Sequence, residues 1–103
     1  VGVQALVRSP ALAVLRTLDL HWNQLGGDGL AHLLAAPALR NLEELDLSWC
    51  GLTSASARAL AAWEGLRTVR RLNLLSNPLR RADAELIAAS PHAVSLTDFQ
   101  VPL

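Results

Sequence analysis

His21, Ser48 and an aspartate are the residue types of a hydrolytic triad. In that chemistry the serine attacks, the histidine takes its proton and the carboxylate orients the imidazole. His21, His32, His92 and Cys50 are the nitrogen and sulfur donors that a metal site would draw on. Gly26-Gly27-Asp28-Gly29 is glycine-rich in the manner of a phosphate-cradling loop. Trp22 and Trp49 offer the aromatic faces that dominate many protein interfaces. Which of these chemistries is realised depends on where the chain places the side chains.

The placing elements repeat. Leu15, Leu42, Val69 and Leu96 stand 27 residues apart. Three positions on come Leu18, Leu45, Leu72 and Phe99, and two further Leu20, Leu47, Leu74 and Val101. A fixed period in the twenties means one small unit stacked on copies of itself. Within a unit the short L-x-L alternation reads as a strand, with Leu18 and Leu20 inward and Thr17, Asp19 and His21 outward. Gly26 to Gly29 then turns the chain, and Leu30, Leu33 and Leu34 form one face of a helix that Pro37 ends. The second helix, with Thr53 or Ser54 as its cap, buries Ala57, Leu60 and Ala61. The third buries Ala84, Ile87 and Ala88, and its start is obscured because Arg80 and Arg81 are poor caps. The units run at about 1–14, 15–41, 42–68, 69–95 and 96–103 in one leucine-rich domain. About four parallel strands and up to four helices are expected, the first helix incomplete.

Strand–helix units joined in one rotational sense stack into an α/β solenoid. Helices are wider than the ~4.8 Å strand spacing, so the parallel sheet lines a concave face and the helices a convex one. Asn23, Cys50 and Asn77 share a column that turns inward beneath the loops, where an amide can satisfy neighbouring backbone groups. The chain opens in mid-repeat, with Val3, Leu6, Val7, Pro10 and Leu12 matching Leu30, Leu33, Leu34, Pro37 and Leu39, and contains no Met. It therefore reads as a piece of a longer array whose uncapped ends could associate end to end.

The outward columns are Thr17, Glu44, Arg71 and Asp98; Asp19, Asp46, Asn73 and Gln100; and His21, Ser48, Leu75 and Pro102. In the first, Glu44 beside Arg71 and Arg71 beside Asp98 read as cross-strand staples on a solvated surface. Asp19 and Asp46 bring like charges onto adjacent strands, which repel, and the fold gains nothing obvious from them. They read either as an acidic spot for a partner's Arg or Lys, or as a habit of the column. Trp22 and Trp49 share a column at the strand exit, with Ser76 below, and either face a partner or seal the core edge. Trp63 falls near a helix end on the far side and reads as packing.

The catalytic alternatives fare poorly. An open sheet supplies no oxyanion hole, water exclusion or nucleophile elbow. The three histidines fall on a strand, a helix and a loop, Cys50 points into the core, and the glycine run lacks the Lys-Ser/Thr ending of a phosphate loop. No cofactor or metal is expected. The nine basic residues, all arginine, balance nine acidic ones, which argues against a nucleic-acid stripe or a polybasic membrane face. No apolar run approaches the ~18 residues of a membrane span. One cysteine excludes an internal disulfide and, with no glycosylation sequon, leans towards the cytoplasm.

The stretches LRTLDLHWNQLGGDGLAHLL and LEELDLSWCGLTSASARAL resemble the leucine-rich repeat family, specifically its ribonuclease-inhibitor-like class. The alternation of an Asn repeat with a CGLT repeat carries the resemblance to that class. The run from Ser9 to Leu39 is also similar to bacterial tandem arrays with Ala-Ser-Pro at the helix ends. Trp63-Glu64-Gly65 departs from that pattern. The resemblance implies a non-enzymatic scaffold that binds another protein through its concave face or rim. Trp22, Trp49, Asp19, His21 and Asp46 would stand at the centre, with Glu44, Ser48, Arg71 and Asn73 around them. A regulatory module acting on an enzyme or GTPase, and a structural spacer, are the alternatives.

Overall fold

The computed structural model describes residues 15–36, 39 and 41–102. The unit at 1–14, Pro37 and the termination it was expected to supply lie outside the described residues. Four three-residue strands form one parallel sheet in chain order: β1 (Thr17–Asp19), β2 (Glu44–Asp46), β3 (Arg71–Asn73) and β4 (Asp98–Gln100). The register is the one the leucine columns demand. Thr17 pairs with Glu44, Glu44 with Arg71 and Arg71 with Asp98, and each neighbouring column keeps step. A slip of one residue would turn Leu18, Leu45 and Leu72 to solvent, so their burial pins the pairing.

Three helices lie in one layer against the sheet: α1 (Gly26–Leu34), α2 (Ser54–Ala62) and α3 (Arg81–Ala88). α1 packs on α2, and α2 on α3. Leu30, Leu33, Ala57, Leu60 and Ile87 meet the inward strand residues in a single core, together with Leu42, Leu47, Leu52, Leu66, Val69 and Leu74. Each such leucine contributes roughly 1.5–3 kcal/mol by leaving water. Phe99, Val101 and Leu96 pack on the core's edge at β4 and stay partly exposed.

Several local expectations change. Gly26 to Gly29 do not form a separate turn; they are the first turn of α1, entered through Gly26 at φ 60°. Glycine is a poor helix former, but burial of Leu30 and Leu33 outweighs that cost here. Thr53 is the N-cap of α2, and its N–H donates to Ser56 Oγ at 3.1 Å. At α3 the N-cap is Arg80, which has no side-chain acceptor. Asp83 supplies the cap from the other side: its Oδ2 accepts the Arg80 N–H at 2.9 Å and the Ser54 hydroxyl at 2.8 Å. The inward place on α3 is accordingly taken by Asp83 and Ile87, while Ala88 is exposed. The departure at Trp63-Glu64-Gly65 is a 3-10 helix, Glu64–Thr68, with Trp63 buried as expected. A Cβ on Gly65 would strike the Trp63 indole, so glycine lets the ring lie down.

The inward column beneath the loops divides. Asn77 is buried, and its Oδ1 accepts the N–H groups of Cys50 and Leu52, both at 3.0 Å. Its Nδ2 donates to the carbonyls of Leu47 at 2.9 Å and Leu74 at 3.0 Å. Cys50 repeats this more weakly one unit earlier, its thiol donating to Leu20 O at 3.1 Å. Burial pushes the Cys50 thiol pKa up. Asn23, expected inward, is exposed at the edge of the described sheet, and its side-chain amide donates within its own turn, to Leu20 O and His21 O.

Candidate functional site

The strands are only three residues long, so the turns at their C-terminal ends decide the surface. At β1 the Asp19 carboxylate accepts the backbone N–H of His21 at 3.0 Å. At β2 Asp46 Oδ1 accepts the Ser48 N–H at 2.9 Å, and at β3 Asn73 Oδ1 accepts the Leu75 N–H at 3.0 Å. Each side chain closes its own turn by bonding the backbone two residues on, an Asx turn. This corrects the expectation that the fold gains nothing from Asp19 and Asp46. Their negative charge is not needed for that role, since neutral Asn73 performs it equally.

The turns hold together across the sheet. Leu20 N–H donates to Asp46 O at 2.9 Å and Trp22 N–H to Ser48 O at 3.1 Å. One rung on, Leu47 N–H donates to Asn73 O at 2.9 Å and Trp49 N–H to Leu75 O at 3.2 Å. Trp22, Trp49 and Ser76 all sit in the left-handed region, at φ 63°, 57° and 60°. A bulky residue there is uncommon and strained. This backbone throws both indoles outward: Trp22 is 67% exposed and Trp49 51%. The rings stack with centroids 4.4 Å apart and planes 6° apart. They do not seal the core.

Around them the polar groups resolve into separate pairs. His21 Nδ1 lies 2.6 Å from Asp19 Oδ1. That hydrogen bond, helped by the charges of Asp19 and Asp46, raises the His21 pKa above its usual 6.5. The bonds from the His21 backbone and ring hold the Asp19 carboxyl below its ordinary value. Ser48 Oγ donates to Asp46 Oδ1 at 2.6 Å, so its hydroxyl goes to a carboxylate and not to His21. Ser48, expected on the open surface, is 8% exposed and belongs to the turn. The ligand atoms of Asp19, His21 and Asp46 lie within 4.8 Å of one another. That is the one grouping of metal-type donors among the described residues, and the hydrogen bonds within its turns account for its geometry.

On the strands, Arg71 approaches Glu44 at 3.5 Å and Thr17 Oγ1 donates to Glu44 at 3.4 Å. Arg71 thus pairs towards β2, and among the described residues no ion pair joins it to Asp98 as the column order had suggested. On the flank, Arg16 meets Glu43 at 2.6 Å. A shallow recess of about 300 Å³ runs across the open face of all four strands, lined by Asp19, Glu44, Asp46, Arg71, Asn73 and Asp98 among others. Of the predicted residues the fold gathers Trp22, Trp49, Asp19, His21 and Asp46 at one end of the strands. Glu44, Arg71 and Asn73 lie on the adjoining strand face.

No helix of the described residues is long and apolar enough to cross a membrane. A comparison with curated proteins returns no match. A family model described as Leucine Rich repeat matches residues 11–34 and again 38–61. Those stretches contain β1 with α1, and β2 with most of α2, so two consecutive strand–helix units are similar to the repeat of a family whose domains generally mediate protein–protein interaction and are typically non-enzymatic.

Proposed function

We propose that this chain is a non-enzymatic protein-binding module of the ribonuclease-inhibitor-like class, a stacked 27-residue solenoid that grips its partner on the concave strand face. The observation that carries the reading is the indole pair. Two tryptophans occupy left-handed backbone positions that cost about 1–2 kcal/mol each. They lie mostly in water, where stacking repays only ~0.5–1.5 kcal/mol. Strain of this kind collects at functional sites, and covering two exposed indoles with a partner gives the large apolar gain typical of interface centres. Asp19, His21 and Asp46 border the pair, and Glu44, Arg71 and Asn73 extend the surface along the strands.

The test substitutes both rings by the residue the third unit already uses in the same conformation: Trp22→Ser with Trp49→Ser. The immobilised wild-type chain, the double variant and a helix-side control, Arg67→Ala, are compared for partners retained and quantified by mass spectrometry. The reading predicts partners held by wild type and by the control but lost from the double variant, with unchanged circular dichroism. Equal retention by all three would refute it.

A further inference from the structure

We propose that the occupant of this surface is a basic, extended protein segment that stacks an arginine guanidinium on Trp49 as the third rung of the indole ladder. This rests on the concave-face reading above. Trp22, Trp49 and Ser76 are equivalent positions with the same left-handed backbone. The first two rungs carry rings 4.4 Å apart in near-parallel planes. The third carries only a hydroxymethyl group, so among the described residues no ring stacks on the side of Trp49 away from Trp22. Strands repeat at ~4.8 Å, so a planar group laid on that side of Trp49 would continue the ladder at the spacing of the first two rungs. A planar side chain from a partner gains stacking there that an aliphatic one does not.

The charge of the surroundings selects which planar group. Among the described residues the open sheet face and its exit turns carry Asp19, Glu44, Asp46 and Asp98 against Arg71 and His21. Arg71 is paired with Glu44. His21 is tied to Asp19. Those two pairs leave Asp46 and Asp98 without an ion pair among the described residues, so the face carries excess negative charge although the whole chain is neutral. An indole face is electron-rich and attracts a cation, and guanidinium is the cation that also stacks flat. Two of the acids stand in the Asx column. Asn73 closes the same turn without charge, so neither carboxylate's charge is needed to close its turn. Asp19 is engaged by His21, and Asp46, with no ion pair among the described residues, is the one open to a cationic ligand.

The test uses fluorescein-labelled ten-residue peptides of alternating alanine and arginine, with citrulline and lysine versions, read by fluorescence polarisation. Citrulline keeps the plane and removes the charge; lysine keeps the charge and removes the plane. The variants are the pair Asp19→Asn with Asp46→Asn, which keeps both turn acceptors, and the pair Trp22→Ser with Trp49→Ser. Wild type should bind the arginine peptide roughly tenfold or more tighter than the citrulline peptide, with lysine between. Both double variants should lose most of that preference. Equal affinity for arginine and citrulline, no binding of the arginine peptide, or binding unaffected by either pair would overturn the inference. In any of those outcomes, partner retention that still depends on Trp22 and Trp49 would leave the concave-face reading standing.

Discussion

Asn77→Ala should be the most damaging single polar substitution in the chain, and its cost can be worked from four hydrogen bonds. The amide oxygen serves the buried N–H groups of Cys50 and Leu52, and the amide nitrogen serves the carbonyls of Leu47 and Leu74. Alanine leaves all four without that partner in a place 5% exposed. An unsatisfied buried group costs ~1–3 kcal/mol. Taking the low end, because the loop can relax and admit water, gives about 4 kcal/mol. A small domain has only ~5–15 kcal/mol in total. With a urea m-value of about 2 kcal/mol/M the midpoint should fall by about 2 M. Asn23→Ala is the internal control. It occupies the same column, but its amide donates to Leu20 O and His21 O at an exposed site, and water can replace it. Its cost should be about 0.5–1 kcal/mol. Urea unfolding of the two variants, monitored by circular dichroism, gives both numbers. If they fall within about 1 kcal/mol of each other, the assignment of Asn77 as the amide that ties adjacent units is wrong.

Leu45→Ala, at 2% exposure in the central inward column, should cost about 2–5 kcal/mol in the same assay. Gly65→Ala should lower the thermal midpoint, because the added methyl displaces the Trp63 ring from its buried position; an unchanged midpoint would show that the ring has room to move. The His21 ring protons, monitored by NMR, should titrate above 6.5, and Asp19→Asn should bring the midpoint down, since Asp19 is the main cause of the shift. The His21 contribution to stability is present below 6.5 and is lost as pH rises through the raised folded value. The Asp19 contribution is present above 3.8 and is lost as pH falls through its lowered one.

The strand register and the core were legible because both arise from one periodic set of aliphatic residues. Leu18, Leu45 and Leu72 announce their partners by spacing alone, and Leu30, Leu33, Leu60 and Ile87 do the same for the helices. The turns were harder, because the alternation stops at Asp19 whereas the sequence pattern runs on through Leu20 and His21. Once the strand ends there, the next residues obey turn geometry, and Ser48 goes under while Trp49 comes out. A signal for this was present: Asp, Asp and Asn in one column are the residues that close Asx turns. Nothing in the type of Trp22 or Trp49 announces a left-handed backbone, which tryptophan rarely adopts. At α3 the missing cap was also readable, since Asp83 stands three positions after Arg80, the place from which a carboxylate reaches back to the first free N–H.

The central claim is that the partner covers the exposed indoles, and the molecule carries its own reporters for it. Trp22 and Trp49 lie exposed at the strand exits and Trp63 lies buried on the helix side. A nitrogen-15-labelled chain therefore gives three indole N–H signals, assignable by single substitution. On adding the partner isolated by capture, the signals of Trp22 and Trp49 should shift together while Trp63 holds its place. A shift confined to Trp63, with the stacked pair unmoved, would contradict the account.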